Sequence, residues 1–317
     1  MENSTVENGT APDELLVWLT GIDIFEIVFY SCIVCIGLPI NCLAAYRLYH
    51  LVKASNVLPI YVINLLISDM LQLAMLPLIL LSFYTDLLDT VYYLLYHWTS
   101  INIFSMCVSI SFFVCISLER YLAVVHPLWH QSHRSPRFAI KVSVGVWLFA
   151  GMCFTVENLL SMRYVLFIFV LFVLFFLVPL ILLVFFYVRT KAAITSSIGA
   201  PDVKKKRALR VLSAVLVLFI VVYGPFFTVI VFRAVLDSMR IFASIGLIAL
   251  AIVSDVISSL NIIVNPILYV LLRNDVRETL NTTPFWRMLM WSVCCCCGDR
   301  VDEDTSAVKQ NEMRSEK

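Results

Sequence analysis

Long apolar stretches are the feature that most limits what this chain can fold into. Seven of them run through the sequence, at 24–49, 58–84, 98–122, 138–157, 164–189, 208–233 and 242–270. A helix of about 20 apolar residues spans the roughly 30 Å hydrocarbon core of a bilayer. Of the 317 residues, 61% are hydrophobic and 14% are charged, whereas about a quarter are charged in soluble domains. The sequence therefore predicts an all-α membrane protein with a seven-transmembrane helix bundle over residues 24–270.

Lysine and arginine are distributed unevenly between alternate connections of this bundle. The connections after the first, third and fifth stretches contain Lys53, Arg134 with Arg137, and a basic segment at 189–210. Since cytoplasmic loops concentrate Lys and Arg, we expect an extracellular N-terminus and a cytoplasmic C-terminus in the plasma membrane. Lys204 to Arg207 can contact a protein partner or anionic membrane lipids; the alternative is a solvated segment that only anchors the cytoplasmic side. The net charge of +1 gives no reason to expect a nucleic acid partner.

The N-terminal tail, residues 1–23, contains two N-glycosylation motifs. Asn3 begins Asn-Ser-Thr and Asn8 begins Asn-Gly-Thr. Such acceptors are glycosylated on the extracellular side of the membrane. We therefore expect glycans at Asn3 and Asn8.

The ten cysteines predict lipidation rather than a disulfide. Six lie within the apolar stretches, and no predicted extracellular loop contains one, so no extracellular disulfide is expected. The other four, Cys294, Cys295, Cys296 and Cys297, open the cytoplasmic tail at 294–317. They follow residues 271–293, which predict a short amphipathic helix rich in aromatic residues. Juxtamembrane cysteines beside such a helix indicate S-palmitoylation; a free or metal-binding cluster is the alternative.

Polar side chains within the apolar stretches are expected to face the interior of the bundle, because they are costly in lipid. Asp69 is an isolated carboxylate in the second stretch. With Ser109, Asn261 and Asn265 on neighbouring helices, it can form an oxygen-lined cation site. The alternative is a neutral Asp69 within a hydrogen-bonded network.

An acid and a base end the third apolar stretch, at Glu119 and Arg120, with Tyr121 next to them. Membrane anchoring accounts for the arginine but not for the adjoining acid. Four prolines, at Pro39, Pro179, Pro225 and Pro266, permit kinks in other stretches. Kinked helices around a polar interior can adopt two packings that differ by a few kcal/mol, as a switch requires.

These motifs, taken in order, resemble those of rhodopsin-like (class A) G protein-coupled receptors over nearly the whole chain. The matching features are GLPIN in the first helix, NLLISD in the second, ERY closing the third, Trp147 in the fourth, Pro179 with Tyr187 in the fifth, FIVVYGP in the sixth and NPILY in the seventh. The resemblance implies a receptor that binds an extracellular ligand and activates heterotrimeric G proteins. Nucleotide exchange then occurs on the partner, and the chain itself is not expected to be an enzyme.

The resemblance also implies roles for the matching residues. Arg120 is the switch arginine, restrained by Glu119 at rest, and Tyr187 and Tyr269 support it in the active state. The residues implied as an allosteric Na⁺ site are Asp69, Ser109, Asn261 and Asn265; no other cofactor is expected. Phe219 and Tyr223 form the toggle of the sixth helix, where the family usually has tryptophan in place of Tyr223.

The ligand class is constrained by two comparisons with the family pattern. Asn102 stands where amine receptors have aspartate, and Ser259 stands where opsins have the retinal lysine. The expected ligand is therefore an unidentified peptide or small molecule, as for an orphan receptor. In two features, the absence of a loop disulfide and the segment ERYLAVVHPLWHQSHRSPR, the chain resembles the Mas-related receptors.

Four residues are predicted to line the ligand pocket: Asn102, Tyr223, Arg233 and Asp255, with Glu26 and Arg163 nearer its mouth. Arg233 and Asp255 can hold the opposite charges of a zwitterionic or peptide ligand. Alternatively, they pair with each other across adjacent helices.

A transporter or channel with an intramembrane cation site at Asp69 is the alternative function. Such proteins are typically built from internal repeats with paired broken helices, and no repeat between the two halves of this chain is evident.

Overall fold

The computed structural model describes residues 11–52, 58–84, 88–133, 135–160, 164–196, 203–241 and 245–272. Within these ranges the chain is helical apart from short turns, and no strand occurs. Predictions for Asn3, Asn8, Arg163, the cysteines at 294–297 and nearly all of the amphipathic segment at 271–293 lie outside the described residues.

Eleven α-helices make up this part of the chain. Their bounds are α1 Ala11–Val52, α2 Leu58–Ser82, α3 Leu88–Val125, α4 Pro127–His133, α5 Pro136–Leu160, α6 Tyr164–Phe172, α7 Val178–Thr195, α8 Val203–Leu218, α9 Gly224–Ser238, α10 Ile245–Ser259 and α11 Asn261–Leu272. A π-helical turn at Val173–Leu177 joins α6 to α7, and another at Phe219–Tyr223 joins α8 to α9.

Among the described residues, seven segments are long and apolar enough to cross a membrane. These crossings are Thr20–Tyr46, Ile60–Ser82, His97–Val125, Pro136–Thr155, Leu166–Thr195, Lys205–Ser238 and Gly246–Ile267. The prediction of a seven-transmembrane bundle is therefore confirmed. The first helix begins at Ala11, inside the segment predicted as a tail, because a helix can continue beyond the apolar length that spans the bilayer.

The two π-helical turns each end two residues before a proline, Pro179 in the fifth crossing and Pro225 in the sixth. Proline has no amide hydrogen and its ring clashes with the preceding turn, so a wider turn relieves the strain there. The seventh crossing is interrupted at Leu260, between α10 and α11. The carbonyl of Leu260 accepts bonds from the amides of Ile263 and Val264, both at 3.0 Å.

The third crossing is the centre of the bundle. Sixty-one per cent of its most apolar window is buried, against 17% for the fourth crossing. Val108, Ile110 and Phe112 of α3 are fully buried. By contrast, α5 exposes Leu148 and Met152, as expected of a peripheral helix that faces lipid.

Buried amides hold the surrounding helices together. Asn41 of α1 donates to the carbonyl of Ile262 in α11, at 2.8 Å, and to the carbonyl of Gly37 at 2.9 Å. The indole of Trp147 in α5 donates to the side-chain oxygen of Asn64 in α2, at 2.8 Å. Interhelical bonds of this kind stabilise membrane bundles by roughly 0.6 kcal/mol each on average, and they determine which helix faces meet.

Candidate functional site

A buried polar group at the middle of the bundle is centred on Asp69. The side-chain amide of Asn265, from α11, donates to the Oδ1 of Asp69, from α2, at 2.7 Å. Neither carboxylate oxygen is exposed, since Asp69 is 0% exposed. The bond links the second crossing to the seventh, immediately before Pro266.

Ser68 connects this group to the third crossing. Its hydroxyl lies 3.2 Å from that of Ser109 and donates to the carbonyl of Ser105 at 2.9 Å. Ser68, Ser105 and Ser109 are all fully buried. Ser68 directly precedes Asp69 in the sequence, but sequence reasoning did not place it in the site.

Two oxygens beside the Asp69–Asn265 bond have no hydrogen-bond partner within the described part of the chain. They are the Oδ2 of Asp69 and the Oδ1 of Asn265. An unpaired polar atom in the interior costs about 1–3 kcal/mol. Carboxylate and amide oxygens are the donors that hard cations prefer, so these two atoms fit the chemistry of a bound cation.

The residues of the predicted toggle pack within an aromatic cluster. Phe219 and Tyr223 are fully buried, and their ring centroids are 5.7 Å apart. Phe176, from the first π-helical turn, stacks on Phe219 at 5.5 Å, and Phe113 of α3 lies 6.2 Å from Tyr223. The hydroxyl of Tyr223 is buried without a hydrogen-bond partner among the described residues, as is the side chain of Asn261, and its charge interacts with that of Asp69. Tyrosine at this position therefore directs a polar group into the site.

Asn102, predicted in the ligand pocket, is buried and already engaged. Gln72 of α2 donates its side-chain amide to the Oδ1 of Asn102, and both residues are nearly inaccessible to solvent. Sequence reasoning missed Gln72. The signal that could have found it is its position three residues after Asp69, on the same face of a helix.

A second group of charged residues lies on α1, α9 and α10. Arg233 of α9 is close enough to Asp255 of α10 for its charge to act on the carboxylate. Asp255 in turn acts on Glu26 and Tyr30 of α1. The ring of Tyr30 packs edge-on against Trp98 of α3, with 5.6 Å between centroids. Arg233 and Asp255 are therefore within electrostatic range of each other, which is compatible with both sequence alternatives.

The opposite end of the bundle, which we call the Arg120 end, brings three crossings together around Tyr121. The ring of Tyr121 stacks on that of Phe186 in α7, with 5.3 Å between centroids. Leu212 of α8 completes the buried cluster, and Tyr187 packs against it. The hydroxyl of Tyr121 lies 3.4 Å from the Nε2 of His126.

Glu119 and Arg120 are half-buried at the end of α3 beside this cluster. Tyr269, the other predicted support of Arg120, belongs to α11, but its side chain lies outside the described part of the chain. The structure therefore brings Tyr121 and Tyr187 together and leaves the contribution of Tyr269 a prediction.

The protein family of this chain follows from a comparison of its sequence with known families. The sequence model of the 7 transmembrane receptor (rhodopsin family) matches residues 40–164 and 152–269, which together cover most of the chain. The chain belongs to the rhodopsin family of seven-transmembrane receptors.

Several curated receptors resemble this one over most of its length. It is 27% identical to the human "Probable G-protein coupled receptor 132" over 80% of the chain and 72% of that protein. It is 26% identical to the human "G-protein coupled receptor 68", over 80% of the chain and 74% of that protein.

A shorter match reaches higher identity. The mouse "Lysophosphatidic acid receptor 5" is 35% identical over 38% of the chain and 33% of that protein. None of these three relatives is named as a Mas-related receptor, so the similarity to that group stays a prediction.

Proposed function

We propose that this receptor binds an extracellular peptide or small molecule and activates heterotrimeric G proteins through Glu119, Arg120, Tyr121, Tyr187 and Tyr269. The cluster around Tyr121 is the observation that carries the proposal, because it joins the third, fifth and sixth crossings beside Arg120. A change in the packing of one of these crossings therefore acts on the helix turn that carries Arg120. Family membership favours this function over the transporter or channel alternative.

The fifth and sixth crossings have features suited to such a change. Each contains a π-helical turn two residues before a proline, and such turns are frequent at functional sites. Phe176 and Phe219 stack across these two turns. Repacking of this pair is expected to move both crossings together, with their Arg120 ends on the cytoplasmic side of the plasma membrane.

An allosteric Na⁺ site at Asp69, Ser109, Asn261 and Asn265 belongs to the same proposal. The support is the pair of unpartnered oxygens on Asp69 and Asn265, with one carboxylate to balance the charge of one cation. A cation held there stabilises the packing of the second crossing against the seventh.

The proposed ligand site contains Asn102, Tyr223, Arg233 and Asp255. Arg233 is exposed and lies near the partly buried Asp255, so the two present opposite charges to a zwitterionic or peptide ligand. An anionic group is also compatible with Arg233, in keeping with the lysophosphatidic acid named for one relative.

Nucleotide exchange on purified Gα proteins tests the switch. At high receptor density we expect basal exchange with at least one Gα class, and Arg120→Ala should lower it at least tenfold. Arg137→Ala is the matched control, because Arg137 is an exposed arginine at the same end of the bundle but outside the switch. Equal exchange by the wild type and Arg120→Ala would contradict the assigned role, and cation flux without exchange would favour a channel.

A further inference from the structure

A cavity at the Arg120 end of the bundle is not used by the proposed ligand site. It has a volume of about 290 Å³ and lies among α2, α3, α4 and α5. Its lining residues are Tyr61, Cys115, Leu118, Glu119, Leu122, Trp129, His130, Ser135, Phe138 and Val142. The volume is close to the lower limit of small-molecule sites, which is about 300 Å³.

The walls of the cavity are mostly apolar and its edge faces the outside of the bundle. Trp129 is 52% exposed and Phe138 is 60% exposed, so these two side chains border the opening. Trp129 comes from the short helix α4, which begins at Pro127 and stands against the end of α3. Leu118, which is 39% exposed, also lies near the opening, whereas Tyr61, which is 4% exposed, lies on the inner side. An occupant therefore needs an apolar body of modest length.

The polar side chains that line the cavity include Tyr61, Cys115, Glu119, His130 and Ser135. Glu119 is the one carboxylate among the lining residues, and its charge acts on both Tyr61 and Cys115. A carboxylate can accept several hydrogen bonds at once, so a ligand can bind Glu119 in addition to its protein contacts. A cation also gains from the face of a tryptophan ring within about 6 Å, which Trp129 can present.

We propose that this cavity binds a small amphiphile with a protonated amine, its ammonium group on Glu119 and its chain between Leu122 and Phe138. Arg120, the neighbour of Glu119 in sequence, is not among the lining residues. Adjacent residues on a helix point in different directions, so the cavity reaches the acid of the pair and not the base. Occupancy of this site therefore acts directly on Glu119.

Thermal unfolding of the receptor in phosphatidylcholine nanodiscs tests the proposal without a G protein or an agonist. Octylamine, octanol and octanoate share one chain length and differ in the head group. Octylamine should give a saturable rise of roughly 2–4 °C in Tm, and the other two should give none. An equal rise with octanol would overturn the role of Glu119, and no rise with octylamine would overturn the site.

Two substitutions locate the site, and a third serves as the control. Val142→Trp should fill the cavity and Glu119→Gln should remove its charge, so each should abolish the effect of octylamine. Val144→Trp adds the same ring at a position on α5 that is 51% exposed and outside the lining, and it should keep the effect. Retention of the effect in Val142→Trp would refute the assignment.

Photolabelling of the wild type removes any dependence on the folding of these variants. A diazirine-bearing alkylamine should label the peptide that contains Trp129 and Phe138, in competition with octylamine. Labelling confined to other peptides would refute the site. Because neither assay measures signalling, failure of this proposal and failure of the proposed function remain distinguishable.

Discussion

The bond between Asp69 and Asn265 provides a quantitative test of the polar interior. It joins the second and seventh crossings at 2.7 Å, with Asp69 0% exposed and Asn265 4% exposed. Interhelical hydrogen bonds in membrane bundles contribute about 0.6 kcal/mol on average and up to about 1.7 kcal/mol. Loss of one partner also leaves the other buried and unpaired, at a cost of about 1–3 kcal/mol. Each single alanine variant should therefore lower the free energy of unfolding, and the two losses should add up to more than the loss in the double variant.

A double-mutant cycle measures this coupling. The variants are Asp69→Ala, Asn265→Ala and the pair together, with unfolding followed by detergent titration in mixed micelles. We expect a coupling of about 1–2 kcal/mol, above the membrane average of roughly 0.6 kcal/mol, because the double variant leaves neither partner orphaned. If the two single effects add within about 0.5 kcal/mol, as for independent sites, the bond does not stabilise the bundle as reasoned.

The proposed Na⁺ site is tested in the same system. At equal ionic strength, Na⁺ in place of choline should stabilise the wild type, by about 1.4 kcal/mol when Na⁺ is tenfold above its Kd. Asp69→Asn keeps the shape of the side chain and removes its charge, so it should abolish the difference. If Na⁺ stabilises Asp69→Asn equally, the cation binds elsewhere, whatever the double-mutant cycle shows.

Three further predictions concern other parts of the chain. Gly37→Leu should destabilise the bundle by about 1–3 kcal/mol through overpacking, because a Cβ at Gly37 would meet Ile262 at 3.1 Å. Gly151→Leu should be tolerated, because nothing lies within 4 Å of a Cβ there. Thermal denaturation compares the two variants, and equal losses of stability would contradict the close approach of α1 and α11. Tyr223→Phe should change the free energy of unfolding by less than about 1.5 kcal/mol, because only the hydroxyl is lost. Tyr223→Ala should lower it by about 3–5 kcal/mol, because it leaves a cavity, and similar losses in both variants would show that the ring is not tightly packed. Serine at all four positions of Cys294–Cys297 should abolish labelling by a palmitate analogue at unchanged expression, and persistent labelling would place the lipid elsewhere.

Much of the site could be predicted because membrane helices restrict where polar residues occur. Asp69, Ser109 and Asn265 were expected in the interior, and all three are buried there. Ser68 and Gln72 were not placed in the site, although their hydrogen bonds connect it to α3. In an apolar helix the period of hydrophobicity is weak, so the sequence does not indicate which polar side chain faces which neighbour.

The sequence by itself determined the number of crossings and the residue types available in the interior, because apolar length and the cost of buried polar groups act on each segment separately. Only the tertiary structure decided the partners: Asn265 for Asp69, Gln72 for Asn102, and Phe186 for Tyr121. It also placed the short helix α4 beside α3 and so created the cavity next to Glu119. Such contacts depend on the rotation of each helix about its axis, which side-chain packing between helices sets.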